Sequence, residues 1–463
     1  MEQTKSYGLD KVNVSFLDKS KKTLPLIITP RFDDTHNFIC KWLEQNNSWV
    51  QDQMIRYGAV IVRGFKIESP PDFEQATLAL DPNLCDKYRG TSPRSLSKGT
   101  KYAFSAADVP VNYPIAQHLE MSFLKAPPRF LYFGCMKESS SLGGETSLCD
   151  FRAVFQDILP ELRQKFLTKQ IKYTRKHHRI GEKWTYDVGA MKTWVELFGT
   201  SSKEEVEKIC EEESAPPAKW IGDTFYQEWV DQSCQLHPIT KEPVWFNHTQ
   251  VFHWSTFPAE LWYAFCRMKS LKLFIHFVLV SIFTFIKYGI LGYKMSLDVT
   301  FGDDTPILCN EMDEVRNSIR KNLVFSRWQK GDILCIDNFS TSHGRQPTFD
   351  KGRKVIVSWS KPLDKTQQSA IEPDEVGIDI EVNFSLHESS IKRDENIPSL
   401  QPVTPDTSPE SSLSKEGAKE LGSMFLGKIE EDHKDLYFHH RRLRSCPNLF
   451  EPNSDFWNKT KND

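Results

Sequence analysis

Short, β-rich apolar runs limit the folds that this chain can adopt. They place β-branched and aromatic residues over four to eight positions, which is typical of strands. The runs are Gly58–Phe65, Arg129–Met136, Ile333–Ile336 and Val355–Trp359. Long segments of other composition lie between these runs, and this arrangement does not suit a regular βαβ alternation. The pattern predicts a mainly β protein with helical insertions (α+β).

Two of these intervening segments carry helix signals. Leu159–Lys169 has Pro160 at a position where only the first turn of a helix tolerates proline. Ser201–Glu213 has Ser201 and Ser202 as candidate N-caps, followed by glutamates that favour a first turn. Both segments are therefore predicted to be helical.

The composition of the chain changes near residue 363. Residues 1–362 contain all the strand-like runs and are predicted to form one domain, with an apolar helical insert near residues 261–294. Residues 363–463 form an acidic, Ser/Pro-containing tail without sustained periodicity, which predicts a largely disordered segment. Ser445 follows a basic cluster in this tail. If it were phosphorylated it would resemble peptides that Arg-lined adaptor proteins bind, so an adaptor partner is predicted there.

Charge and cysteine usage exclude several classes of protein. The net charge of -3 gives no signature of a nucleic-acid binder, so no nucleic-acid partner is expected. The 10 cysteines include no CxxC pair, which argues against a zinc ribbon and against a dense disulfide framework. The N-terminal residues contain no apolar stretch typical of a secretory signal. An intracellular protein, cytoplasmic or membrane-associated, is the expectation.

The most apolar stretch is Leu271–Leu291. Its uncharged core, Leu273–Ile286, is shorter than the roughly 20 residues that cross a bilayer, although flanking lysines could extend its reach. Aromatic and lysine residues on both sides suit a membrane interface. The stretch is predicted to be an interfacial or re-entrant helix, or a lid over the substrate, with a buried core helix as the next alternative. Peripheral membrane contact through residues 271–291 and an apolar or lipid-like substrate are therefore expected.

A candidate metal site begins at the triplet His118-Leu119-Glu120. On a β-strand, residues two apart point to the same face, so this imidazole and carboxylate can converge on one ion. Such a triplet also occurs by chance, and by itself a partly buried histidine beside a surface glutamate is the simpler interpretation. The triplet indicates a metal site only if a third ligand occurs elsewhere in the chain.

The second part of the candidate site lies more than 200 residues downstream. The segment from Trp328 to Asn338 contains a Gly-Asp turn and an apolar strand, and His343 follows shortly after it. Two histidines and one carboxylate are the facial triad of non-haem iron(II) oxygenases, which leaves one face of the metal open. Arg353, ten residues after His343, opens the next strand and could bind a co-substrate carboxylate with its guanidinium.

Taken together, these segments resemble the taurine dioxygenase and clavaminate synthase-like family of iron(II)- and 2-oxoglutarate-dependent oxygenases. The matching pieces occur in family order over about residues 50–362. They are Gly58–Phe65, Tyr113–Phe123, Gly143–Thr146, Val244–Asn247 and Trp328–Arg353. The resemblance implies a double-stranded β-helix, or jelly roll, whose two sheets hold the metal at their mouth. Glu120 stands where the wider family more often has Asp, and the clavaminate synthase-like branch uses Glu.

The resemblance also implies roles for individual residues. His118, Glu120 and His343 would bind the iron. Thr146 and Arg353 would contact 2-oxoglutarate. The implied reaction uses iron(II), 2-oxoglutarate and O2 to hydroxylate an aliphatic C–H bond of a small molecule, with release of succinate and CO2.

Other polar residues have weaker signals. Asn247 and His248 are candidates for the substrate pocket, and a strand-end amide cap and a hydrogen-bonded structural histidine are the alternatives. His177 and His178 lie in a basic run, Lys172–Arg179, for which exposure to solvent is the simpler interpretation.

Two other classes of function stay open at this point. One is a catalytically silent jelly-roll protein that serves for binding. The other is a single-span membrane protein in which the triplet is a coincidence. If Leu271–Leu291 were the only span, Glu120 and His343 would lie on opposite sides of the bilayer and could not share a metal.

Overall fold

The computed structural model describes residues 8–19, 23–88, 90, 94–107, 109–178, 193–213 and 215–363. Apart from Leu363, the predicted tail and its Ser445 site lie outside these residues. The strands are β1 (Val12–Phe16), β2 (Leu26–Pro30), β3 (Ala59–Val62), β4 (Phe104–Ser105), β5 (Ile115–His118), β6 (Phe130–Lys137), β7 (Thr146–Asp150), β8 (Ile171–His177), β9 (Lys219–Ile221), β10 (Thr224–Asp231), β11 (Gln235–Leu236), β12 (Pro243–Val244), β13 (Leu297–Phe301), β14 (Leu323–Ser326), β15 (Ile333–Asp337), β16 (Thr341–Arg345) and β17 (Lys354–Trp359).

Helices occupy most of the intervening segments. The α-helices are α1 (His36–Gln45), α2 (Asn47–Tyr57), α3 (Pro70–Leu80), α4 (Phe151–Asp157), α5 (Pro160–Lys169), α6 (Trp194–Phe198), α7 (Lys203–Glu212), α8 (Thr249–Phe252), α9 (Thr256–Met268), α10 (Leu271–Thr284) and α11 (Cys309–Lys321). A short 3-10 helix spans Leu9–Lys11, and a π-helical turn, Phe285–Ile290, continues α10.

The larger sheet has the strand order β1-β2-β3-β15-β6-β17-β4 and is antiparallel except between β2 and β3. Both of its faces are covered, and this explains why its central strands carry apolar residues on both faces. In β3, Val60 and Val62 pack against the first three helices. The alternate residues Ala59 and Ile61 point the other way, into a second core.

The smaller sheet, with strand order β14-β7-β16-β5, lies on that other side. Leu148 on β7 packs in the same core as Phe133 of the larger sheet, and Val324 on β14 contacts this core. Two sheets packed face to face form the jelly-roll core, and the predicted fold class is confirmed. A further sheet, β13-β8-β10-β9, and the helices α8 to α11 come from the long segments between the strand-like runs.

Most local predictions agree with the structure. The four strand-like runs contain β3, β6, β15 and β17, with ends that shift by a few residues. The first predicted helix begins at Pro160, and Ser202 caps α7 by accepting a hydrogen bond from the Glu205 backbone. The basic run was predicted wrongly in part. It forms β8, an inner strand of its sheet, and His177 is buried.

The apolar insert forms a helix that packs against one neighbour. Leu273 and Phe277, one helical turn apart, pack on Leu261 and Ala264 of α9. Leu271–Ile290 is the one helix among the described residues that is long and apolar enough to cross a membrane, by length and composition alone, and 22% of its 18-residue apolar window is buried. The alternative of a buried core helix is therefore wrong.

Candidate metal centre

Strand pairing brings two distant histidines together. β5 and β16 are antiparallel neighbours, and His118 pairs directly with His343 in their register. Their ring centroids are 4.3 Å apart. Residues before and after the apolar helix therefore lie in one sheet. This contradicts the single-span alternative, which requires them to lie on opposite sides of a bilayer.

Glu120 completes the group from a turn, because β5 ends at His118 and not beyond the triplet. Its Oε2 atom lies 3.5 Å from Nε2 of His118 and 3.5 Å from Nε2 of His343. One ligand atom from each of the three residues lies within 4.8 Å of the other two. Two imidazoles and one carboxylate at this spacing form the donor set of a facial triad, so the residues present fit an iron(II) ion.

Backbone contacts hold the ligands in place. Asn338, directly after β15, accepts a hydrogen bond from the Glu120 backbone N–H at 2.7 Å and donates to the Glu120 carbonyl at 3.0 Å. Nδ1 of His118 lies 2.9 Å from the Ala116 carbonyl. Because a carbonyl only accepts, this nitrogen carries the proton, and Nε2 keeps its lone pair for a metal.

The site favours the protonation states that metal binding needs. Burial opposes the ionisation of Glu120, but the Arg94 guanidinium and the two histidines hold the pKa of this carboxyl well below its usual range. Burial, together with the neighbouring His118, lowers the pKa of His343 to about 4. At neutral pH the carboxylate is charged and His343 is neutral, as ligands of a divalent cation must be.

Two residues that the sequence did not single out hold the carboxylate of Glu120. The Tyr88 hydroxyl donates to Oε1 at 3.0 Å, and Nη2 of Arg94 donates to Oε2 at 3.0 Å. The Arg94 guanidinium also lies 4.6 Å from the centre of the Tyr88 ring. No local pattern marks either residue, because both act from a loop more than 25 positions away from Glu120.

A cavity of 210 Å³ opens next to the triad. His118 and His343 line it, together with Thr146, Arg353 and several apolar residues. Nε of Arg353 donates to the Gly144 carbonyl at 2.6 Å, and the two terminal nitrogens have no hydrogen-bond partner among the described residues. Gly144 has φ +79° and lies so close to Arg353 that a Cβ would be 3.0 Å from its side chain. The Arg353 guanidinium is thus fixed through Nε, and its two terminal nitrogens are available to bind a ligand.

The remaining predicted residues take different places. Thr146 begins β7 and lines the cavity. Asn247 does not line it, since its side-chain amide donates to the Ser233 carbonyl and accepts from the Thr249 N–H. His248 lies beside the triad, with its ring 5.6 Å from that of His118 and its Nδ1 3.0 Å from the Ser122 hydroxyl.

Comparison with known proteins agrees with this geometry. Residues 34–359 match the family model described as taurine catabolism dioxygenase TauD, TfdA family. The chain belongs to the TauD/TfdA dioxygenase family. The family match covers the main part of the described residues and includes all three residues of the triad. The predicted enzyme class, an oxygenase that uses iron(II), 2-oxoglutarate and O2, is confirmed.

The curated relatives have low sequence identity to this chain, but the alignments cover most of the length of both proteins. The chain is 26% identical to the dapdiamide synthesis protein DdaC of Enterobacter agglomerans over 309 residues, which cover 66% of this chain and 83% of the relative. It is 24% identical to a clavaminate synthase-like protein of Arabidopsis thaliana over 343 residues, 73% of this chain and 90% of the relative.

Solved structures show a looser likeness. PvcB from Pseudomonas aeruginosa superposes with a TM-score of 0.42 at 12% identity, over 76% of this chain and 91% of that protein. A taurine dioxygenase from Burkholderia xenovorans gives 0.40 at 13% identity, over 78% and 95%. The assignment to the family rests on the sequence match and not on these superpositions.

Proposed function

We propose that this member of the family hydroxylates an aliphatic C–H bond of a small molecule, with His118, Glu120 and His343 as iron ligands. Arg353 and Thr146 bind 2-oxoglutarate. One observation carries the assignment of roles: two of the three clustered residues, His118 and His343, line a cavity that is also lined by Arg353, whose terminal nitrogens have no hydrogen-bond partner among the described residues. A metal and a dicarboxylate would find complementary partners in this one space.

The protein residues bind, orient and exclude water. When bound, iron(II) with 2-oxoglutarate and O2 supplies the oxidising power for the C–H bond, and succinate and CO2 are released. His118 presents Nε2 because its Nδ1–H is held by Ala116. Tyr88 and Arg94 hold the Glu120 carboxylate by hydrogen bonds to its two oxygens and neutralise part of its charge. Apolar side chains in the cavity wall, such as Phe133 and Val355, limit the access of water to the reacting C–H bond.

Anaerobic titration with iron(II) and 2-oxoglutarate tests this assignment. A metal chelated by the keto acid gives a visible charge-transfer band, and we expect that band in the wild-type protein. His118→Ala should lose it, because the metal loses one of three ligands. His253→Ala is the matched control. This buried histidine binds the Ile307 carbonyl and lies outside the triad, so the band should persist. No band in the wild type would favour the catalytically silent binding protein, and an undiminished band in His118→Ala would refute the ligand assignment.

The surroundings of the cavity favour an apolar substrate that reaches the enzyme from a lipid surface. The apolar face of α10 and its π-helical turn is exposed, and three of its residues, Leu279, Ile282 and Ile290, are 60%, 54% and 63% exposed. His276 of α10 stacks on Tyr113, whose carbonyl accepts a hydrogen bond from Arg345 in the cavity wall. Tyr113 therefore connects α10 to the cavity wall.

We infer that this face lies in the headgroup region of a membrane. Lysines stand at both ends of the helix, at 269, 272, 287 and 294, where they would meet anionic lipid headgroups. An exposed apolar surface with a basic rim suits a bilayer better than it suits water. The contact is peripheral, because the strands before and after the helix belong to one sheet.

Vesicle flotation tests the membrane contact. The wild type should float with vesicles of phosphatidylcholine and phosphatidylserine, less well without phosphatidylserine and less well at high salt. A triple substitution of Leu279, Ile282 and Ile290 by serine should abolish flotation. The matched control replaces Leu159, Ile221 and Ile239, which are 54%, 67% and 52% exposed elsewhere, and it should float like the wild type. Equal flotation of the two triple variants would contradict the proposal.

The adaptor site at Ser445 and the role of the tail lie outside the described residues. They stay predictions from the sequence.

A further inference from the structure

The inner face of β8 carries a buried cation that the proposed reaction does not use. Arg175 is 5% exposed, and its Nε and Nη2 atoms are buried without a hydrogen-bond partner. No carboxylate of the described residues forms an ion pair with it. Burial lowers its pKa to about 10, so the side chain is still charged at neutral pH. A buried charge without a partner is costly, and the cost falls when an anion binds.

Arg175 is linked to the metal site by a series of contacts between neighbouring side chains. Its guanidinium carbon is 5.4 Å from the centre of the Phe123 ring, and Phe123 is 5.1 Å from His248. The ring of His248 is in turn 5.6 Å from that of the candidate ligand His118. Arg175 is thus connected to the metal site through two intervening rings, those of Phe123 and His248.

A second set of contacts leads to the same place. Tyr173, which precedes Arg175 by two residues on the same face of β8, accepts a hydrogen bond from the His248 backbone N–H through its hydroxyl. The Tyr88 phenol, which binds Glu120, lies close enough to interact electrostatically with Arg175. The strand that carries Arg175 therefore packs directly on the residues around the triad.

The side chains between Arg175 and the triad are apolar and aromatic. Phe123 and Phe252 are buried and contact each other with ring centroids 5.5 Å apart, and both rings contact His248. A ligand held by Arg175 with its other end near the metal would have to contact these rings. It would therefore combine an anionic end with an apolar body.

We propose that Arg175 binds a carboxylate of the substrate and so selects an apolar-bodied carboxylic acid. This assignment rests on the proposed function, since it names the substrate class of the same metal site. A guanidinium binds a carboxylate with two parallel hydrogen bonds, and the unpartnered nitrogens of Arg175 are free to form them. The carboxylate of 2-oxoglutarate has its own partner in Arg353, so the two arginines serve different molecules.

The test compares octanoate with octanamide, which has the same shape but no charge. Binding is measured by calorimetry on the anaerobic iron(II) and 2-oxoglutarate complex, with 2-oxoglutarate at saturation so that Arg353 is occupied. The wild type should bind octanoate and should bind octanamide at least about tenfold more weakly. Arg175→Gln should weaken octanoate binding by at least about thirtyfold and leave octanamide binding unchanged.

Matched variants separate the charge of Arg175 from a general effect on the fold. Lys176→Gln removes the same charge from the adjacent residue, which points to the opposite face of β8, and it should bind octanoate like the wild type. Arg175→Lys should bind with intermediate affinity, because it keeps the charge and loses the fork. The charge-transfer band of Arg175→Gln serves as the check that its metal site has folded.

The outcomes distinguish this inference from the proposed function. If the wild type shows the charge-transfer band but octanoate does not bind, or binds equally to Arg175→Gln, the inference is overturned and the oxygenase assignment stands. If the wild type shows no band, the proposed function fails, and the substrate role of Arg175 fails with it even if octanoate binds.

Discussion

Arg353→Gln is expected to weaken the binding of 2-oxoglutarate by at least about thirtyfold. Removing one partner of a buried, hydrogen-bonded charge pair costs about 2–5 kcal/mol, and about 1.4 kcal/mol corresponds to a factor of ten. Nε of Arg353 already donates to the Gly144 carbonyl, so the terminal nitrogens are those that would bind the co-substrate. Titration of the anaerobic iron(II) protein with 2-oxoglutarate, followed by the charge-transfer band, measures this change.

Two further variants define the cause of the effect. Lys351→Gln removes an exposed positive charge two residues away and should leave the affinity for 2-oxoglutarate unchanged. Arg353→Lys keeps the charge but loses the two parallel hydrogen bonds, so its affinity should fall between those of the wild type and Arg353→Gln. Wild-type affinity in Arg353→Gln would show that another residue binds the dicarboxylate.

Asp337→Ala is expected to lower the free energy of unfolding by about 3–5 kcal/mol, because it leaves two buried hydrogen-bond donors without an acceptor, at about 1–3 kcal/mol each. Asp337 is 1% exposed at the end of β15, where Oδ2 accepts from Nε2 of His237 at 2.9 Å and from the Ser340 hydroxyl at 2.7 Å. Its loss leaves these donors buried without an acceptor. Urea unfolding followed by tryptophan fluorescence gives the difference.

The control for this substitution is Asp52→Ala on α2, which removes an exposed carboxylate and should change the stability by less than about 0.5 kcal/mol. Asp337→Asn keeps the shape of the side chain and removes the charge, so its loss should be smaller than that of Asp337→Ala. A loss below about 1 kcal/mol in Asp337→Ala would mean that the buried pair is not a main support of this sheet edge.

The same carboxylate implies a pH dependence. Burial opposes its ionisation, but His237 and the Ser340 hydroxyl hold the pKa of Asp337 below its usual value. A group with a lowered pKa stabilises the fold above its unfolded pKa of about 4 and loses this contribution as the pH falls through the folded value. The stability difference between the wild type and Asp337→Asn should therefore be constant near neutral pH and shrink below about pH 4.

Local sequence patterns predicted where helices and strands occur better than they predicted which residues are buried. β3, β15 and the start of α5 lie where apolar runs and Pro160 indicate them, because these signals act over a few neighbouring residues. The run around Arg175 misled for the opposite reason. Its basic composition is typical of a solvated face, whereas β8 is covered on one side by the residues around the metal site.

The residues of the candidate metal site were likewise predicted only in part. His118, Glu120, His343 and Arg353 were predicted from residue type, spacing and order along the chain, and the structure brings them to one place. Tyr88 and Arg94 were not, since they reach Glu120 only after a loop folds back over it. Glu120 was expected on a strand beside His118, and it lies in the turn directly after that strand, held there by Asn338.

The sequence by itself determined which side chains are candidates to bind a metal, a dicarboxylate and an apolar surface, because chemistry and spacing are local properties of the chain. Only the tertiary structure decided that His118 and His343 face each other and that Nε and Nη2 of Arg175 are buried without a hydrogen-bond partner. Both facts depend on which strands pair and which faces pack. Pairing between residues more than 200 positions apart is stabilised by the whole packed core, and no local segment specifies it.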